Sequence, residues 1–146
     1  MADCIFCKIA SGAIPAVKIY EDELVFAFLD IGPINPGHVL VIPREHHESA
    51  STIPESVAGR MFRVGARIGI ALKRLDAYDA YNLHLADGTA AGQVVMHAHL
   101  HVIPRGVNDQ FHWNWRQIAY ADDAAKTAMA EEIECSYRKA DRVLPE

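Results

Sequence analysis

The strongest constraint in this chain is one short alternation, His97-Ala98-His99-Leu100-His101-Val102. In an extended strand, residues i, i+2 and i+4 share a face. Three imidazoles therefore project from one side, roughly 6 to 7 Å between neighbours at about 3.3 Å rise per residue. Ala98, Leu100 and Val102 fill the other side. Imidazole serves as base, nucleophile or metal ligand near neutral pH. Packing does not account for three of them in strict alternation, because each buried ring needs hydrogen-bond partners. Covalent catalysis by a histidine and a three-histidine metal centre are the chemistries this pattern admits.

The rest of the chain frames that strand. Residues 4–11 read as one or two helical turns ended by Gly12. Val17–Tyr20, Leu24–Leu29, His38–Ile42 and Tyr81–Leu85 read as strands, and His97–Ile103 as another, ended by Pro104. Pro33, Asn35, Pro36 and Gly37 make a loop before the third strand. Thr52-x-x-Glu55 fits a capping box. Val57, Met61, Val64, Ile68, Leu72 and Leu75 then give one apolar stripe along a long helix. Asp122 reads as the N-cap of a terminal helix over 122–142, with Ala125, Met129, Ile133, Tyr137 and Ala140 on one side and Cys135 beside them as a small core residue. Five strands with a long central helix and a C-terminal helix predict an α+β fold on an antiparallel sheet.

At 146 residues and 51% hydrophobic content the chain suits one domain with a sizeable core. We expect a core over about 4–105 and a C-terminal extension over 106–146. The net charge of -5 and the absence of a basic stripe argue against a nucleic-acid partner. No apolar run of membrane-spanning length is present, so no membrane partner is expected. Met1-Ala2-Asp3-Cys4 does not open like a signal peptide, and the three cysteines do not read as a disulfide framework. The expected location is the cytoplasm.

The alternation resembles the signature of the histidine triad (HIT) superfamily. So do Asp30-Ile31-Gly32-Pro33-Ile34-Asn35-Pro36-Gly37-His38-Val39-Leu40-Val41-Ile42-Pro43, Ala91-Gly92-Gln93 and Pro104-Arg105. The likeness runs from about Cys4 to Arg105. It implies a HIT-like fold, a homodimer and a hydrolase acting on nucleoside phosphoramidates or dinucleoside polyphosphates. His99 takes the place of the nucleophile that attacks the α-phosphorus and forms a nucleotidyl-histidine. His101 takes that of the residue that contacts the phosphate and steadies the nucleophile. Transferase relatives carry glutamine there, so His101 favours hydrolysis. Asp30 matches the ribose-binding residue and Ile31 an apolar wall of the base pocket. Gly92, Gln93, Val94 and Val95 match the phosphate loop. The chain departs from many relatives at Val94, where Ser or Thr is frequent, and at Ala86, where Asn or Gln is. A nucleotide-binding regulatory module with little turnover is therefore the alternative.

Cys4-x-x-Cys7 offers two thiolates at a zinc-site spacing and needs two further ligands. A redox pair or two buried thiols are the other readings of it. The pair resembles the zinc-bearing bacterial branch of the family. That resemblance supplies His46, rather than the adjoining His47, and His97. A Cys2His2 set is closed, so the implied zinc is structural, with His97 oriented beside His99. His38, after Gly37 at a strand start, reads either as a hydrogen-bond partner of the triad or as a structural residue. His84 and His112 carry no assigned role, and Phe111, Trp113 and Trp115 form an aromatic cluster beyond the triad.

Overall fold

Alternation in the apolar segments decides which residues meet on each side of the sheet. The computed structural model describes residues 4–114 and 116–140. Five strands form one antiparallel sheet in the order β1-β2-β3-β5-β4: β1 Lys18–Glu21, β2 Val25–Leu29, β3 Val39–Pro43, β4 Ala80–Leu85 and β5 Leu100–Arg105. Asp22 shapes the β1–β2 turn, its Oδ1 accepting from the N–H groups of Leu24 and Val25 at 2.9 Å each. With helices α1 (Ile5–Ala10), α2 (Glu55–Leu72) and α3 (Asp123–Ala140), the fold is α+β as expected.

One sheet face presents Val25, Ala27, Val39, Val41, Leu100 and Val102 to Met61, Val64 and Leu72 of α2. Burying each valine, leucine or methionine among them stabilises the fold by about 1.5–3 kcal/mol. The opposite face presents Phe26, Phe28, Leu40 and Ile42 to Phe6 and Ala10 of α1. Register puts His101 across from Leu40, hence on the α1 face. The six-residue α1 covers only part of that face, and the histidines occupy the remainder. No helix among the described residues is long and apolar enough to cross a membrane.

Several expectations are corrected. The ladder of the triad strand begins at Leu100 rather than His97. Ahead of it, the Ala98 N–H donates to the His47 carbonyl at 2.6 Å, outside the sheet. Ala98 nonetheless joins the α2-side core with Leu100 and Val102, so the two-residue alternation survives without the ladder. Nor does Pro104 end the strand, which continues to Arg105. β3 pairing stops at Val102, and the Pro104 carbonyl accepts from Asn35 Nδ2 at 2.8 Å. Pro104 thus turns its missing N–H away from β4, where no ladder partner is lost.

The Thr52 capping box does not form either. Thr52 sits in a 3-10 turn, Ala50–Thr52, with its hydroxyl donating to the Ser49 carbonyl at 2.9 Å. The proline at 54 forces Ile53 into extended geometry at ψ 130°, so α2 starts after Pro54 and Glu55 is its first residue. α2 also ends at Leu72, which leaves Leu75 outside the stripe and exposed. Asp122 does cap α3, its Oδ1 accepting from the Ala125 N–H at 2.7 Å. That helix packs differently from the expectation. Met129, Ile133 and Tyr137 are exposed, and Cys135 is exposed rather than a core residue. Trp115 and Arg142 lie outside the described residues.

Candidate functional site

Hydrogen-bond partners assign a chemical role to each triad nitrogen. His97 is fully buried. Its Nε2 lies 3.0 Å from the Pro43 carbonyl, an acceptor only, so Nε2 carries the proton. The bare Nδ1 then faces sulfur, 3.4 Å from Cys4 Sγ and 3.5 Å from Cys7 Sγ. His99 is held the other way round. Its Nδ1–H donates to the His97 carbonyl at 2.8 Å, which leaves a lone pair on Nε2. His38 accepts the Ile34 N–H on Nδ1 at 3.2 Å, so its own proton sits on Nε2. That proton is donated to His101 Nδ1 at 2.9 Å, and His101 is left with Nε2–H as a donor. Burial pushes the His38 pKa down, with the Asp30 carboxylate 3.6 Å away opposing. Burial, then the positive charge that His99, His38 and His84 would add, lowers His101 to about 4. Both rings are therefore neutral at pH 7, as this pattern of donors requires.

The rings of His99 and His101 are 4.8 Å apart, a tighter pair than a flat strand would give. They open onto a cleft of about 610 Å³ between α1, the segment 14–17, β2 and β3. A volume of that size suits a small ligand. Phe6, Ile9, Phe28 and Leu40 wall it with apolar surface, and Asp30 is its carboxylate. Asp30 Oδ1 accepts the Gly32 N–H at 2.9 Å, which fixes the carboxylate at the head of its loop. Ile31 stands fully exposed at the rim of the cleft.

The loop before the triad divides its labour. Val95 lines the cleft, and the Val94 side chain stands in solvent. The Gln93 side chain is buried and spent on the loop itself. Its Nε2 donates to the carbonyls of Glu48 at 2.7 Å and Val95 at 3.0 Å, and its Oε1 accepts the Gly88 N–H at 2.8 Å. Gly92 takes φ 93°, a conformation glycine adopts without a Cβ clash. Ala86 is buried.

Behind the triad lies a second cluster. Cys4, Cys7, His46 and His97 each offer one ligand atom, and all four atoms fall within 4.8 Å of one another. Cys7 Sγ is 3.3 Å from His46 Nδ1. Zinc bonds of about 2.3 Å to sulfur and 2.0–2.1 Å to nitrogen, at tetrahedral angles, place sulfur and nitrogen about 3.5 Å apart. The observed 3.3–3.5 Å spacings fit that geometry. Both histidine ligands also have a second neighbour on the other ring nitrogen, the Pro43 carbonyl for His97 and the Glu48 carboxylate at 3.9 Å for His46. Among the described residues a second group of possible ligands is Asp30, His38 and His101. Neither group contains His99, so the three triad rings do not form one ligand set.

The chain matches the HIT domain model over residues 11–108. It belongs to the HIT family. An uncharacterised HIT-like protein of Borreliella burgdorferi is 50% identical over 113 residues, covering 76% of this chain and 81% of that one. An adenosine 5'-monophosphoramidase of Candida albicans is 39% identical over 109 residues, 71% of each chain. The crystal structure of a zinc-bound histidine triad family protein from Mycobacterium smegmatis superposes with a TM-score of 0.73 at 36% identity, covering 92% of this chain and 98% of that one.

Sequence reasoning gave His84 no role in this HIT site. His84 lies across the ladder from His101, with rings 5.9 Å apart, and Trp113 packs on His84 at 5.0 Å. Phe111 meets Trp113 edge-on with ring centres 5.0 Å apart and lies beneath the Arg105 guanidinium. Phe6 carried no assignment, although Phe6 and Ala10 against Ile5 and Ile9 is a two-faced helical pattern readable from spacing.

Proposed function

We propose that this HIT protein hydrolyses nucleoside phosphate conjugates through His99. The observation that carries the reading is the hydrogen bond from His99 Nδ1 to the His97 carbonyl, which leaves Nε2 unprotonated beside the cleft. In the first step Nε2 bonds to the α-phosphorus. The bond from phosphorus to the leaving group breaks, and that group leaves with the electron pair and takes a proton from water. In the second step water attacks the same phosphorus and gives a proton to the hydroxide left by the first step, the N–P bond breaks, and its pair returns to Nε2. One hard displacement becomes two easier ones. His101 Nε2–H donates to a phosphate oxygen, Asp30 accepts from the ribose hydroxyls, and Ile31 with the apolar walls holds the base. In the phosphate loop of Gly92, Gln93, Val94 and Val95, the N–H groups of Gly92 and Gln93 close the turn on the carbonyls of Thr89 at 3.0 Å and Gly88 at 3.2 Å, so backbone donation to the phosphate falls to Val94 and Val95. A single phosphate with an amine leaving group agrees with the phosphoramidase activity of the Candida relative.

Zinc bound by Cys4, Cys7, His46 and His97 would supply structural cross-linking, with all four positions taken by protein. Pairing of two copies would cover Phe62 and Ile70, exposed on the outer side of α2, and the open β4 edge.

The test is release of nucleoside monophosphate from adenosine and guanosine phosphoramidates and dinucleoside polyphosphates. Turnover should fall by more than about 1,000-fold in His99→Gly. Binding of AMP without release from any conjugate would instead favour a regulatory nucleotide-binding module.

A further inference from the structure

The two halves of the site meet in α1. The helix has six residues, and its N-cap Cys4 makes no side-chain cap bond. A single helical segment this short does not hold itself together in water, so its position is set by what it touches. On one side Cys4 and Cys7 present sulfur to His46 and His97. On another, Ile5, Phe6 and Ile9 form a wall of the cleft. Phe6 lies between the two sulfur-bearing residues and touches both functions. Its ring is edge-on to His97 at 5.9 Å and to His99 at 5.3 Å. The His97 carbonyl in turn fixes the His99 tautomer.

We infer that α1 is a metal-clamped wall of the cleft with Phe6 as a positioning residue, so that zinc on Cys4, Cys7, His46 and His97 and a nucleoside monophosphate in the cleft bind cooperatively. The inference rests on reading the cleft as a nucleotide site. Each ligand holds the same short helix in place, so whichever binds first leaves less ordering for the other. Such coupling is reciprocal: zinc strengthens nucleotide binding by the factor by which nucleotide strengthens zinc binding.

The experiment uses the zinc-loaded protein and AMP. Zinc affinity is measured by competition with a chromogenic chelator, with and without saturating AMP. AMP affinity is measured by calorimetry on loaded and zinc-stripped protein, with circular dichroism reporting whether the stripped protein stays folded. AMP should raise zinc affinity about tenfold, and zinc loss should weaken AMP binding by a similar factor. Phe6→Ala should keep one zinc per chain and bring the coupling factor close to one. The chelator arm on loaded protein decides the matter even if the stripped protein unfolds. Equal zinc affinity with and without AMP, full coupling in Phe6→Ala, or no AMP binding by the loaded protein would overturn the inference. Monophosphate release assayed alongside separates the two ideas. Coupling without release sinks the hydrolase reading alone, and release without coupling sinks the clamp alone.

Discussion

His101 shows how a buried ring can serve as a donor without carrying charge. Its pKa, lowered from the usual 6.5 to about 4, means the native ring binds fewer protons than the unfolded one between those values. Stability then rises with pH across that window, because the unfolded state takes up the extra proton. The contribution is complete above pH 6.5 and is lost as pH falls through about 4. His38 shifts in the same direction and adds to the slope. His101→Gln, which keeps an amide to accept the His38 proton, should flatten the dependence of Tm on pH between 6.5 and 4. An unchanged slope in the variant would show that other groups dominate. The position of the triad rings was legible in the alternation. The proton on each nitrogen was not, since it depends on Ile34, Pro43 and the His97 carbonyl, which only folding brings near.

At the scale of elements, α2 lies unusually close to the sheet where two glycines face it. A Cβ on Gly65 would come within 2.9 Å of Leu100 Cδ2, and one on Gly69 within 2.5 Å of Tyr81 Cδ2. Helical glycine costs about 1 kcal/mol relative to alanine, so α2 gives up propensity in exchange for contact with β5 and β4. Gly59, on the same helix, faces open space. Gly69→Ala should therefore destabilise the protein by about 1–3 kcal/mol through overpacking. Gly59→Ala should stabilise it by about 0.5–1 kcal/mol. Urea denaturation of the two variants gives shifts of opposite sign if backbone approach governs the glycines, and the same sign if helix propensity does. The apolar stripe of α2 announced a helix because side chains at steps of three and four are local information. The placement of β5 between β3 and β4 was not legible, since strand pairing is non-local. Thr52-x-x-Glu55 misled for a related reason. The capping pattern is local, and Pro54 overrode it through the conformation it imposes on Ile53.

For the whole molecule, the two ends of the chain contribute in inverse proportion to their length. α3 has 18 residues, and each described side chain from Asp123 to Arg138 is exposed. α1 has six residues, yet it buries Phe6 and Ala10 and, with its N-cap Cys4, brings two sulfurs to histidines 39 to 93 positions away along the chain. A cross-link closing segments that long removes much of the freedom of the unfolded chain. Zinc bound at a thousandfold excess over its dissociation constant stabilises the native state by about 4 kcal/mol. In a protein of this size that corresponds to about 10 °C in Tm. Chelation of zinc, or Cys7→Ser, should lower Tm by that order. Ending the chain after Ala119 should move it by only about 1–2 °C, the scale of surface changes. Thermal melts of the parent, Cys7→Ser and the shortened chain at one protein concentration make the comparison. A large loss on shortening would mean that Met129, Ile133 and Tyr137 are covered in solution, with a second copy as the nearest source of that cover. Melting that then steepened its dependence on protein concentration would identify the second copy as the partner.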